Sequence, residues 1–171
     1  MYYQAVRQFI LSLQNLDACL GKAEAYAASR KFDVNNLFGA RLAPDMLPFS
    51  VQIAIACDNA KGTAANLSGR PNEKHEDNQA TFADLRARIA KCVAFLETFS
   101  EADFANADGS RLVTVPYPPG GWQMPADAYL WSRQVPQFYF HMNMAYAILR
   151  HNGVDIGKAD YLGKIDLRPP A

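Results

Sequence analysis

The chain carries no excess of either charge: seventeen Lys and Arg balance seventeen Asp and Glu. It has no basic run and no aromatics interleaved with basic residues, so the electrostatic footprint of a nucleic-acid binder is missing and nucleic acid is not an expected partner. Long apolar runs are missing too. The N-terminus, MYYQAVRQFILSLQNLDACLGKA, has only Arg7 ahead of its apolar stretch and is interrupted by Gln8, Gln14, Asn15 and Asp17. It reads as the first helix of a cytoplasmic protein, neither an export signal nor a membrane span. Cysteine is scarce. Cys19, Cys57 and Cys92 are odd in number, widely separated and free of any C-x-x-C pair, which gives zinc or redox chemistry no support and leaves buried free thiols. No G-x-S-x-G elbow, P-loop, Rossmann glycine fingerprint, H-E-x-x-H or set of paired carboxylates occurs, so hydrolase, NTPase and dehydrogenase readings have nothing to stand on.

What is present is apolar periodicity. Half of the 171 residues are hydrophobic and a fifth are charged, enough for one domain with its own core. Tyr2 to Ser29 places Val6, Phe9, Ile10, Leu13, Leu16, Leu20 and Ala23 at steps of three and four, which predicts a long amphipathic helix. Asp33 can cap a single turn that Gly39 ends. A second helix is expected from Pro44-Asp45, with Pro48 still in its first turn, to about Leu67. Its small and β-branched residues, from Val51 to Ala65, let neighbours approach closely, so it should be central, with Gln52, Asp58, Asn59 and Lys61 as polar exceptions. Ser68 to Gln79 reads as an exposed polar loop in which His75 is solvated. Thr81 with Asp84 makes a capping box, and Phe82, Leu85, Ile89, Cys92, Val93, Leu96 and Phe99 form the stripe of a third helix opposite Arg86, Arg88 and Lys91. After a further turn near Ser100 to Asp103, Arg111 to Tyr117, the Pro118 to Gly121 turn and Trp122 to Met124 suggest a small hairpin.

The last long helix is expected over Val135 to Arg150, with Phe138, Met142, Ala145 and Leu149 on its inner stripe and Pro136 loosening its register one turn before His141. Its back carries Phe140, Met144 and Ala147 where a surface helix would carry charge, which calls for a cover from this chain or from a second copy in a homodimer. Asn152-Gly153 supplies a left-handed stop, with Arg150 and His151 suited to the negative end of the helix dipole. The residues from Gly157 to Gly163 read as an ordered tail, and Arg168 to Ala171 as a trailing end. Together these segments predict an all-α four-helix bundle over residues 1–165, a β-hairpin inserted between the third and fourth helices, and a tail over 166–171.

Several stretches resemble the DUF1993 family: ARLAPDMLPF at Ala40 to Phe49, Gln52, Asp58-Asn-Ala-Lys61, TFADLRARI at Thr81 to Ile89, FYFH ending at His141, AYAILRHNGV and GKADYLG. That family is a group of bacterial proteins of unknown function in the DinB/YfiT-like superfamily, which is read as one of metalloenzymes. The resemblance implies a four-helix bundle and, from the superfamily, a divalent ion such as Ni, Zn or Fe held by one histidine of the second helix and an H-x-x-x-H pair of the fourth. His141 can stand for the second member of that pair, but Gln137 occupies the first position and the second helix has no histidine, leaving Gln52 and Asp58 as its candidates. One imidazole with a carboxylate and amide oxygens holds such an ion less tightly than three imidazoles. The alternative makes His141 a core histidine bonded to Gln137, a tyrosine hydroxyl or a carbonyl. Arg41, Asp45, Gln52, Asp58 and Lys61 could line a pocket near Tyr139 and Tyr146, or simply satisfy connectors and helix ends. Two functions remain: a bundle that binds a small molecule or a weakly held metal between the second and fourth helices, or a non-catalytic bundle acting through self-association or partner binding.

Overall fold

A computed structural model describes residues 1–115 and 119–166. Four long helices carry the fold: α1 (Tyr2–Arg30), α2 (Phe49–Ser68), α3 (Phe82–Glu97) and α4 (Val135–His151). A short α5 (Lys158–Leu162) follows. The central position expected of the second helix holds: α2 packs against α1, α3 and α4, and its Ala56, Ala60, Ala64 and Cys57 are wholly buried. Where these small residues form the contact, backbones can come close. α3 and α4 meet mainly through α1 and α2 and barely touch each other directly, yet Leu85, Ile89, Leu96, Phe138, Met142 and Leu149 belong to one continuous core.

The ends of the helices follow local chemistry. Thr81 and Asp84 form the expected capping box on α3, with Asp84 Nα donating to Thr81 Oγ1 at 3.2 Å. Asp33 caps the single turn Val34–Leu37. The second helix starts later than its prolines suggest. Pro48 is extended and serves as N-cap, while residues 40–48 fold as a loop tied down by the bonds Phe49 N→Ala40 O, 2.8 Å, and Ser50 N→Phe38 O, 3.1 Å. A residue preceding proline is kept out of the helical region, so Leu47 cannot continue a helix begun at Pro44.

Between α3 and α4, the turn Glu101–Phe104 leads to β1 (Leu112–Thr114), which pairs antiparallel with β2 (Gln123–Pro125) in the register Val113↔Met124. Pro116, Tyr117 and Pro118 of the expected hairpin lie outside the described residues. Val113 and Val115 turn into the core, and Tyr2 Oη donates to Asp127 Oδ1 at 2.7 Å, fastening the base of the hairpin to the start of α1. The register change expected around Pro136 occurs just before it: one helical turn (Ala126–Ala128) runs into a π-helical segment (Tyr129–Gln134) that feeds α4. Proline has no N–H to give to the preceding turn, and the wider π turn accommodates the missing bond.

α4 ends as its sequence implies. Gly153 takes φ +92°, and a Cβ there would come within 2.5 Å of the Tyr26 hydroxyl, so glycine is required on both counts. Val154 N returns to Leu149 O at 3.1 Å, Val154 and Ile156 are buried, and α5 docks on α1 through Asn15 Nδ2→Tyr161 O at 3.2 Å and Lys22 with Asp160 at 2.7 Å. The trailing end at Arg168 to Ala171 lies outside the described residues. All three cysteines are free and buried, and burial with the nearby Asp160 charge pushes the Cys19 thiol up to about 11. No described helix is long and apolar enough to cross a membrane.

Candidate functional site

Polar side chains recur every seventh residue on α2, at Gln52, Asn59 and Asn66, and therefore stand on one face of an otherwise small-residue helix. Each meets a partner on the segment leading into α4 or on α4 itself. His141 Nδ1 lies 2.7 Å from Gln52 Oε1. Asn59 Nδ2 donates to Gln134 Oε1 at 2.5 Å, and Asn66 Nδ2 to Tyr129 Oη at 2.8 Å. Partner numbers fall as α2 numbers rise, so the two elements run antiparallel and the three pairs form a ladder along their seam. Gln52, Asn59, Gln134 and His141 are all buried.

The first rung has a defined polarity. Gln52 Nε2 donates to Leu47 O at 3.0 Å, which turns its carbonyl oxygen toward His141. The imidazole therefore carries its proton on Nδ1 and donates it, leaving the lone pair on Nε2. Burial pushes the His141 pKa down, so the ring is neutral at pH 7. On this nitrogen the partner is Gln52, not Gln137 or a tyrosine.

The other expected site residues are dispersed. Asp58 turns away from His141 and pairs with Arg88 Nη2 at 2.9 Å and Lys61 at 3.4 Å. Tyr139 Oη lies 3.4 Å from Ser12 Oγ of α1, and Tyr146 Oη donates to Ile156 O at 3.3 Å. Arg41 is exposed and donates to Met46 O within its own loop. Asp45 is exposed as well, and His151 sits exposed in the last turn of α4. A three-imidazole metal centre does not fit these residues. His141 Nδ1 is occupied by Gln52, position 137 is an amide, Asp58 is engaged by two cations, and no group of three His, Cys, Asp or Glu among the described residues is placed to hold an ion.

The two other rungs form the wall of an open cleft of about 690 Å³. Asn59 and Asn66 from α2, Tyr129 and Gln134 from the π-helical segment, Gln137 from α4 and Thr114 from β1 face it, with Lys61, Asn72 and His75 at one side. Asn59 Oδ1 is buried without a hydrogen-bond partner among the described residues. Burial raises the Tyr129 pKa, with the Asn66 amide and the Arg133 charge working against it, so its hydroxyl stays protonated at neutral pH. The lining sets neutral amides and a phenol beside charged side chains, Asp58, Lys61, Glu73, Lys74 and Arg133 among them. Such a surface orients a polar molecule.

Two positions depart from the sequence reading. Arg88, expected opposite the apolar stripe, has a side chain only 2% exposed, because Asp58 and Asp77 (2.8 Å) neutralise it and its Nη1 also donates to Glu76 O at 2.7 Å. His75, expected in solvent, has a side chain 1% exposed and stands edge-on to Phe95. Neither burial leaves a mark on local periodicity. The ladder does: the heptad spacing of Gln52, Asn59 and Asn66 was the available signal.

The model of the DUF1993 family, a domain of unknown function, matches residues 1–162. A crystal structure of a DinB family member protein from Shewanella denitrificans is similar over 96% of this chain and 93% of that one, at 43% identity and a TM-score of 0.90. No curated protein matches.

Proposed function

Because the chain belongs to the DUF1993 family and has the DinB-family fold, we propose that it binds a small polar organic molecule in the cleft between α2, the hairpin and the π-helical segment, and does so in the cytoplasm. The observation that carries this reading is the ladder: two of its three rungs open onto the cleft, and one ends in the unpartnered acceptor Asn59 Oδ1. Buried polar groups are normally satisfied, and π-helical turns gather at functional sites, so their meeting at one concavity favours a ligand over a filler role. The ligand class is a polar molecule bearing amide or hydroxyl groups, which the amides of Asn59, Asn66, Gln134 and Gln137 can both donate to and accept from. A divalent ion is the weaker version of the reading, since the donor set suits no borderline metal well.

The test is protein-observed NMR with a panel of small amides, alcohols and sugars, repeated on Gln137→Trp, whose half-buried position lets a large ring fill the cleft. Hits that perturb the signals of Asn59, Asn66 and Gln134 and are lost in the variant are the expected result. A panel that leaves those resonances unmoved, or binds the variant equally, overturns the proposal.

A second reading, self-association as a homodimer, is favoured by Phe140, which is 54% exposed on the back of α4 beside the half-buried Met144 and Ala147. It concerns a different face and does not compete for the cleft.

A further inference from the structure

Residues 70–80 cross the outside of α2 and α3 with little apolar material to hold them, yet they are fastened at several points. Arg70 donates to Thr98 O at 3.0 Å and stacks 4.0 Å from the Phe99 ring centroid. Lys61 donates to Glu73 O at 2.8 Å and to Asn72 Oδ1 at 3.3 Å. Arg88 holds Glu76 O and Asp77. In the middle sits His75, and neither of its ring nitrogens reaches a hydrogen-bond partner among the described residues.

The charges around that ring are lopsided. From α2 comes Lys61, and from α3 come Arg88 and Lys91. The segment itself supplies the facing carboxylate Glu73, whose Oε1 is 3.7 Å from His75 Nε2 and is shared with Lys91 at 3.5 Å. Asp58 of α2 is shared between Arg88 and Lys61, and Asp77 of the segment pairs with Arg88. A neutral imidazole fits this nest against Phe95, whereas an imidazolium would be buried beside Lys61, Lys91 and the aspartate-paired Arg88, with Glu73, already shared with Lys91, as its one facing carboxylate. Asn72, Glu73, Lys74 and His75 also form a wall of the large cleft, and His75 borders the smaller one between the segment and α3.

We propose that residues 70–80 are an acid-released strap on the cleft: with His75 neutral the strap is seated, and protonation of His75 lifts it and widens the cleft. Release of the strap stands independently of any ligand; only its consequence for access rests on the cleft reading above. Burial, then Lys61 and Lys91, lower the His75 pKa against the pull of Glu73, so the seated form excludes the proton that the lifted form accepts at the ordinary histidine value. Release is therefore expected as pH falls below about 6.5, the ordinary histidine value.

All three native thiols are buried, so a nitroxide attached through Asn78→Cys reports on the strap alone. Its spectrum should sharpen between pH 7.5 and 5, with the mobile fraction rising at least about threefold, and should stay constant in a His75→Phe background, which keeps the edge contact with Phe95 but cannot titrate. An unchanged native spectrum over that range overturns the proposal. Should the phenylalanine variant be mobile at both pH values, the imidazole titration of the native chain decides, since only two other histidines must be told apart. A midpoint below the ordinary value that coincides with strap mobilisation supports release by protonation; a midpoint at or above it, or one displaced from mobilisation, overturns it.

Discussion

At Gln52 one amide serves two partners, accepting from His141 Nδ1–H and donating to Leu47 O, so removing either end of the pair leaves a buried group alone. His141→Ala and Gln52→Ala should each lower stability by about 1 to 3 kcal/mol, and their effects should be less than additive in a double-mutant cycle followed by urea unfolding. Zinc or nickel should leave the melting temperature of the untagged protein unchanged; a rise that vanishes in His141→Ala would mean that the imidazole rotates to bind an ion after all. The second rung separates structural from functional polarity. Asn59→Leu alone strands Gln134 and should cost about 1 to 3 kcal/mol, whereas Asn59→Leu with Gln134→Leu should be near neutral in stability while abolishing cleft binding.

Among the helices, the seam between α2 and α4 differs in kind from the contacts of α3. α3 buries Leu85, Ile89, Cys92 and Leu96 against apolar neighbours, but the α2–α4 seam alternates small residues with amide rungs. Ile89→Ala and Leu149→Ala should each cost about 2 to 5 kcal/mol through lost burial and a residual cavity. Because α3 and α4 meet chiefly through α1 and α2, the two losses should add to within about 0.5 kcal/mol. A shortfall well beyond that in the double variant, read from urea midpoints at constant slope, would show that the two helices share a contact.

For the whole molecule, pH acts through two buried histidines. His75 and His141 both have lowered pKa values, for which burial is the first cause, so the unfolded chain takes up protons that the folded chain refuses. Stability is therefore full above about pH 6.5 and falls as pH drops toward the folded-state values. A second decline should begin near pH 4, where the carboxylates of the unfolded chain take up protons that Asp84, Asp103 and Asp160, held low by hydrogen bonds in their caps or to Lys22, still refuse in the fold. Urea midpoints at pH 7.5 and 5.5 test the first decline, and His75→Phe should reduce it. The exposed Phe140 makes the remaining prediction: sedimentation of the native chain at tens of micromolar should show a dimer that Phe140→Glu dissociates without loss of fold. A native monomer would remove self-association from consideration.

The helices, their caps and the sharp end of α4 were legible in the sequence because each depends on residues within a turn or two of one another: the stripe of α3, the Thr81–Asp84 box, the glycine at 153. So was family membership, and with it the DinB-like bundle. Tertiary structure alone decided which polar residues meet. Asp58 was a candidate beside His141, but helix phase turns it toward Arg88, while Gln134 reaches Asn59 from 75 positions away. A run as polar as Ser68 to Gln79 carries no sign that its histidine is buried, since what buries it are Phe95, Lys61 and Arg88 on two other helices. Periodicity reports which face of a helix is apolar, but which charge lies opposite that face is settled only when separate helices pack.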